Sequence, residues 1–320
     1  MFTTSDAIIE CVPNFSEGRN QSIIDAIANA ISSIKEVKLL HVDIGEDANR
    51  TVYTFAGKSE AVIEAAYQAI KIAQEKIDMR MHQGAHPRMG ACDVCPLIPL
   101  QNISMHEVKM YATKLGQRLG DLGIPVYLYE QSATIPYRKR LENIRKGEYE
   151  AIPEKLKNIN WKPDFGTTNF NEKFGMMALG ARNFLIAYNI NLKTENLEIA
   201  KQIAHNIRAI RKQNNGSYLS NLFQHVKAIG WYMPQYHCTQ ISTNIVNIDA
   251  SPIIEVFDAI KQISADFGID TNGSELIGLI PQRAFKHATL NLDDAIEYLG
   301  LNVVKPFDKH KNIIEYRLFS

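Results

Sequence analysis

Apolar positions along this chain recur with two spacings, and their alternation lays out the elements. "AIIECVPN" is a short β-rich run ending at Pro13-Asn14. After the polar "FSEGRN", Ile23, Ile24, Ile27 and Ile31 repeat at helical spacing behind Asn20, a residue suited to an N-cap. "VKLLHVDIG" and "NRTVYTFAG" follow as strands, the second rich in β-branched and aromatic residues. Ser59 opens a helix with Val62, Ala66, Ile70, Ala73 and Ile77 on one face. The period is lost over "MHQGAHPRMGA" and resumes in the β-rich "CDVCPLIPL". Ser104 and Glu107 form an S-x-x-E capping box for a helix with Val108, Tyr111, Leu115, Leu119 and Leu122 inward. "IPVYLYE" is the next strand.

The middle breaks this rhythm. "LENIRKGEYEAIPEKL" reads as broken helix, and "NWKPDFGTTNFNEKFGMMALGA" has no clean period. So long a loop inside a compact protein is functional or disordered, and its aromatic content argues against disorder. Then "NFLIAYNINL" reads as a strand, and Thr194 as the cap of a helix burying Ala200, Ile203, Ile207 and Ile210. "HVKAIGWYM" and "CTQISTNIVNID" read as paired strands, and Ser251-Pro252 as N-cap and first residue of a helix through Phe267. "GSELIGLIP" closes the second half. Each half therefore runs strand, helix, two strands, helix, strand. This order predicts an α+β protein of two subdomains, residues 1–180 and 181–320, with helices on one face of antiparallel-rich sheets. A parallel doubly wound sheet fits less well, because two strands twice follow each other without an intervening helix.

Composition narrows the function classes. Of 320 residues, 45% are hydrophobic and 22% charged, enough to bury a core. Lys plus Arg and Asp plus Glu are 35 each, so no basic excess points to nucleic acid. No apolar run is long enough to cross a bilayer and the N-terminus does not resemble a signal peptide, so a cytoplasmic protein without a membrane partner is expected. Cys11, Cys92, Cys95 and Cys238 are too sparse for a disulfide scaffold.

The aperiodic "MHQGAHPRMGACDVCPLIPL" carries the candidate chemistry. His82 and His86 have the i, i+4 spacing of a helical metal site. Gly84 lies between them, however, and Pro87 disfavours a helical His86, so no metal is expected. Cys92 and Cys95 form a C-x-x-C pair, but in a strand rather than at a helix N-terminus. Residues three apart on a regular strand face opposite sides, so both read as small core residues. What remains is a polar loop feeding a strand, with two imidazoles and the Arg88 guanidinium held by Gly84, Pro87 and Gly90. That suits acid–base chemistry beside a rigid sheet. Either histidine bonded to backbone alone fits the pattern too.

"ECVPNFSEGRN", "HVDIGEDANRTVYTF", "HQGAHPRMGACDVCPLIP", "WKPDFG", "NFLIAYNIN", "IGWY", "STN" and "GSELIGLIP" together resemble glutamate formimidoyltransferase, from about Ile9 to beyond Pro281. The most specific stretch is "AHPRMGACDVCP". The resemblance implies two ferredoxin-like subdomains with a ligand groove between them, and a homodimer. It also implies transfer of a formimino group from N-formimidoyl-L-glutamate to tetrahydrofolate, a co-substrate, at the end of histidine breakdown. A separate cyclodeaminase would be a partner activity. Formyl transfer between N-formylglutamate and 5-formyltetrahydrofolate, or folate binding without catalysis, are the alternatives.

By the resemblance the catalytic histidine is His86 and its partner carboxylate Asp43. The folate-binding stretch falls on Gly166, Thr167, Thr168, Asn169, Phe170, Asn171, Glu172, Lys173, Phe174 and Gly175. Arg88 suits a substrate carboxylate through its planar fork. Arg19, beside the first helix, suits a carboxylate or the folate tail, and His82 a supporting place beside the catalytic histidine. His41 reads as structural, and Trp231 and Tyr232 as core. The chain departs from the family at Gln83, Ala85 and Cys92, where members often carry Lys, Glu and Leu; the lost charges bear on substrate preference.

Overall fold

The computed structural model describes Thr3 and residues 5–320, which divide into two compact units, residues 1–182 and 183–320. In the first, β1 (Ile8–Cys11) and β2 (Asn14–Phe15) share one track, interrupted at Val12-Pro13. α1 (Gln21–Ser32) follows, its N-cap Asn20 accepting from the N–H groups of Ser22 and Ile23. Then come β3 (Val37–Gly45), β4 (Arg50–Lys58), α2 (Ser59–Lys76) and β5 (Cys92–Gln101). β3 pairs with β4, β4 with β1 and β2, and these with β5, all antiparallel. A βαββαβ chain with lateral order β3-β4-β1-β5 is the ferredoxin-like arrangement.

α3 (Met105–Asp121), with both halves of the Ser104–Glu107 capping box formed, leads to β6 (Val126–Leu128). The short helices α4 (Leu141–Arg145) and α5 (Ile152–Lys157) precede β7 (Met177–Ala181). β7 lies between β5 and β6 and is parallel to both. This strand lies in the stretch whose pattern has no clean period. All five of its residues are buried, so both faces are covered and no alternation survives to mark it. Leu179 and Ala181 join the helix-side core, while Ala178 joins a second cluster with Val94, Tyr127, Tyr129, Ile144 and Ile152. The segment carrying α4 and α5 thus covers the sheet opposite α1–α3.

The two cysteines of the C-x-x-C pair do not face opposite sides. Cys92 and Cys95 are both buried in the helix-side core, and Cys95 Sγ lies 3.5 Å from Cys11 Sγ. Asn14 pairs with Val94 but Phe15 with Cys92, so Asp93 is an extra residue bulged out of β5. The bulge shifts the alternation by one. All four cysteines are free and buried.

The second unit comprises β8 (Ile186–Leu192), α6 (Leu197–Gln213), α7 (Tyr218–Phe223), β9 (Val226–Met233), β10 (Cys238–Ile245), α8 (Ile253–Asp266) and β11 (Thr271–Ile277). Its sheet is wholly antiparallel with order β11-β8-β10-β9, the ferredoxin-like order again. The helices α9 (Leu292–Tyr298), α10 (Lys309–Asn312) and α11 (Ile314–Phe319) end the chain. Three local expectations need correction. Asn196, not Thr194, caps α6, and Thr194 Oγ1 instead accepts the Asn196 N–H. Ser251 is buried and donates to Leu222 O at 2.5 Å rather than capping α8. Trp231 is exposed and Tyr232 half-buried, each tied to a polar partner, Gln240 and Glu195, instead of lying in the core. No helix among the described residues is long and apolar enough to cross a membrane.

Candidate active site

The loop joining α2 to β5 lies on the first unit and is fastened at short intervals. Asn49 donates to Gln83 O at 3.0 Å and accepts from Gly18 N–H at 2.9 Å, so one side chain ties three loops together. Ala85 N–H donates to Asp47 O. Between these ties Gly84 approaches so closely that a Cβ there would lie 2.1 Å from Ala48 O. At the far end Gly90 forms a bridge with Gly175, flanked by Met176 N–H to Met89 O and Ala91 N–H to Phe174 O. Ser16 Oγ donates to Gly90 O at 2.8 Å.

On this scaffold His86 is half-buried, with Nδ1 2.6 Å from Pro87 O. A carbonyl only accepts, so Nδ1 carries the proton and Nε2 holds a lone pair. Burial, and then the positive charge of Arg50, pull the imidazole below its ordinary pKa. Arg145 acts in the same sense, and Asp93 and the Pro87 carbonyl oppose it.

The charges that act on His86 form one buried group. Asp93, with no solvent exposure, accepts from Arg50 Nη1 at 2.9 Å, Arg145 Nη2 at 2.6 Å and Met89 N–H at 3.0 Å. Arg50 is further held by Asn14 Oδ1, which accepts from its Nε and Nη2. Two guanidiniums on one carboxylate leave a surplus positive charge beside the imidazole. Sequence reasoning missed all three residues. The available signal was a lone aspartate in "CDVCPLIPL", since a charge inside a buried strand needs partners.

Asp43 is exposed on β3, the edge strand, where it pairs with Val52 of β4. The structure does not bring it to His86: no hydrogen bond or ion pair joins the two, and the carboxylate whose charge reaches the imidazole is Asp93. β4 and the β1–β2 track separate β3 from β5. Arg88 is likewise committed elsewhere. Its fork grips Glu150 at 2.7 and 2.9 Å and reaches Glu148 at 3.2 Å, and its carbonyl accepts from Tyr149 N–H. It fastens the histidine loop to the segment before α5 rather than offering a free fork.

His82 is 8% exposed and donates from Nε2 to Asn49 O at 2.8 Å. Its Nδ1 is a buried acceptor without a partner among the described residues, and burial lowers its pKa. Arg19 is exposed and donates from Nε to Glu46 O at 3.1 Å, leaving its Nη groups uncommitted among the described residues.

The segment 166–175 meets the histidine loop at the Gly90–Gly175 bridge. Phe174 is core, and Phe165, just before the segment, is partly buried against Gly116 and Gly120 of α3. Phe170 is half-buried, its ring 5.5 Å from that of Tyr149, whose hydroxyl donates to Glu172 O. Asn171 accepts from Phe174 N–H, Asn169 N–H donates to Thr167 Oγ1, and Lys173 donates to Glu75 O. Gly166, Thr168 and Asn169 are exposed at the free end.

Residues 8–182 match the family model described as "Formiminotransferase domain, N-terminal subdomain", and residues 187–292 match "Formiminotransferase domain". The chain belongs to the formiminotransferase family. It is 41% identical over 314 residues to the glutamate formimidoyltransferase of Streptococcus pyogenes serotype M1, covering 98% of this chain and 99% of that one. The glutamate formimidoyltransferase of Thermoplasma acidophilum is also 41% identical, with 98% and 97% covered. The formimidoyltransferase-cyclodeaminase of Rattus norvegicus is 43% identical over 326 residues, which are 97% of this chain but 59% of that protein. The chain thus spans less than two thirds of the rat formimidoyltransferase-cyclodeaminase and nearly all of the two glutamate formimidoyltransferases.

Proposed function

We propose that the protein is a glutamate formimidoyltransferase that moves the formimino group of N-formimidoyl-L-glutamate to tetrahydrofolate. The observation that carries this reading is an imidazole in a polar loop with its tautomer set and its pKa pulled below the ordinary value. The family membership supplies the substrate class. A bond forms between folate N5 and the formimino carbon, and the bond from that carbon to the glutamate nitrogen breaks. N5 must lose a proton and the glutamate nitrogen must gain one. His86 Nε2, unprotonated near neutral pH, takes the first and returns the second. The Pro87 carbonyl fills the tautomer-setting role that Asp43 was expected to play.

The segment 166–175 is proposed to contact the folate. Its mixture of backbone polar groups and the Phe170–Tyr149 ring pair suits a pterin, which needs one stacked face and hydrogen bonds at its edge. His82 Nδ1 and Arg19 are proposed to contact the glutamate donor. A cytoplasmic homodimer working beside a separate cyclodeaminase belongs to the same reading. Assaying N-formimidoyl-L-glutamate and N-formyl-L-glutamate side by side, with tetrahydrofolate as acceptor, tests it. Formimino transfer in the wild type, lowered about 100- to 10,000-fold in His86→Ala with folate binding kept, is the expected result. Formyl transfer alone, or unimpaired turnover in His86→Ala, overturns it.

A further inference from the structure

We infer that Arg145, held on the buried Asp93, is the receptor for the α-carboxylate of the donor substrate. The inference rests on the reading above for the identity of the donor. Sequence reasoning assigned the carboxylate to Arg88, but Arg88 spends its fork on Glu150 and Glu148. Arg50 spends its own on Asp93 and Asn14. Among the described residues the Arg145 side chain makes one hydrogen bond, from Nη2 to Asp93. Its Nε is buried without a partner, and its Nη1 is also uncommitted among the described residues.

Leaving a buried guanidinium N–H unbonded is costly. A bound carboxylate would relieve this, one of its oxygens meeting an uncommitted donor in a charge-assisted hydrogen bond. Charge agrees with geometry, because the Arg50–Asp93–Arg145 group carries one surplus positive charge. Position agrees as well. The Asp93 that holds Arg145 also accepts the N–H of Met89, three residues past His86, and the imidazole must reach the departing nitrogen. In an N-formimidoyl amino acid that nitrogen and the α-carboxylate sit on the same carbon. The receptor for the α-carboxylate must therefore lie beside the base. Asp93 and the covering α4–α5 segment hold Arg145 in place, so little side-chain freedom is lost on binding.

The test compares wild type, Arg145→Met and Arg145→Lys with two donors: N-formimidoyl-L-glutamate and N-formimidoyl-γ-aminobutyrate, which lacks the α-carboxylate. Wild type is expected to prefer the first by about 10- to 100-fold in kcat/KM, the usual worth of a charge-assisted pair. Arg145→Met should reduce the preference to about threefold or less, with the KM for tetrahydrofolate unchanged. Arg145→Lys keeps a charge for Asp93 and serves if the Met variant does not fold; it should fall between. A preference kept in both variants overturns the inference. A calorimetric titration with L-glutamate separates the two readings. Binding that weakens tenfold or more in the variants supports the receptor even if wild type transfers no formimino group, in which case the proposed activity fails alone. Binding unchanged in the variants, with transfer intact in the wild type, sinks the receptor and leaves the activity.

Discussion

Arg50 Nη1 lies 2.9 Å from Asp93 Oδ2, and the aspartate side chain has no exposure to solvent. A carboxylate so placed stands only while its cations do, and the converse holds for Arg50 and Arg145. Asp93→Asn keeps the shape and removes the charge, leaving two largely buried guanidiniums uncompensated. Breaking a buried pair in this way costs about 3–5 kcal/mol. Denaturant unfolding should show a loss of that order, with the slope unchanged.

Asp43→Asn should behave in the opposite way. The residue is exposed on an edge strand and makes no hydrogen bond or ion pair to His86. Stability should stay within about 0.5 kcal/mol of wild type, as for most surface changes. The rate–pH curve should keep both its height and its acidic limb, because the Pro87 carbonyl sets the tautomer. A limb that moves to lower pH in this variant would return the orienting role to Asp43.

The direction of the His86 shift gives a pH prediction. Burial and the charge of Arg50 disfavour the imidazolium, so the base form persists below the ordinary histidine pKa of about 6.5. The acidic limb of kcat/KM should therefore lie below that value. His82 is shifted the same way by burial. Over the interval between the folded and unfolded pKa values the unfolded chain binds more protons. Stability then rises with pH through that interval and is progressively lost as the pH falls below about 6.5. Melting curves from pH 5 to 8 read this directly, and His82→Gln should flatten part of the slope.

Gly84→Ala tests the scaffold rather than the chemistry. The added Cβ would meet the Ala48 carbonyl at 2.1 Å, and backbone cannot yield as a side-chain tip does. The loop must move, and with it His86. Turnover should drop by about 100-fold, since small misplacements of a reacting group have that effect. Thermal stability should fall only modestly, because the loop lies at the surface. Equal losses in KM for both substrates, with kcat kept, would contradict this.

The elements with a clean period were legible in the residues. Ile24, Ile27 and Ile31 bury one face of α1 as their spacing requires, and the Ser104–Glu107 box caps α3. The order of strands and helices sufficed for two ferredoxin-like units because each helix returns the chain to the same sheet. What could not be read was the meaning of the segment after α3. β7 has no alternation to show, and the coverage of the second face by α4 and α5 is a tertiary fact. At the candidate site, the aperiodic loop between α2 and β5 drew attention to His86. The charges around it could not be read, because Arg88, Arg50 and Arg145 look alike until their partners are known. Asp43 and Asp93 differ only in which strand lies next to which.

The bulge at Asp93 also governs how this region tolerates change in length. A strand has only two settings for its side chains, and the extra residue switches β5 from one to the other. Upstream of it Cys92 faces the helices by one count, and downstream Cys95 and Leu97 do so by the next. Deleting one residue between Gly90 and Val94 would abolish the switch. Either the core half or the site half of the strand would then turn inside out. An insertion or deletion here is thus a frameshift in space, with the reading frame set by the place where Asp93 leaves the ladder.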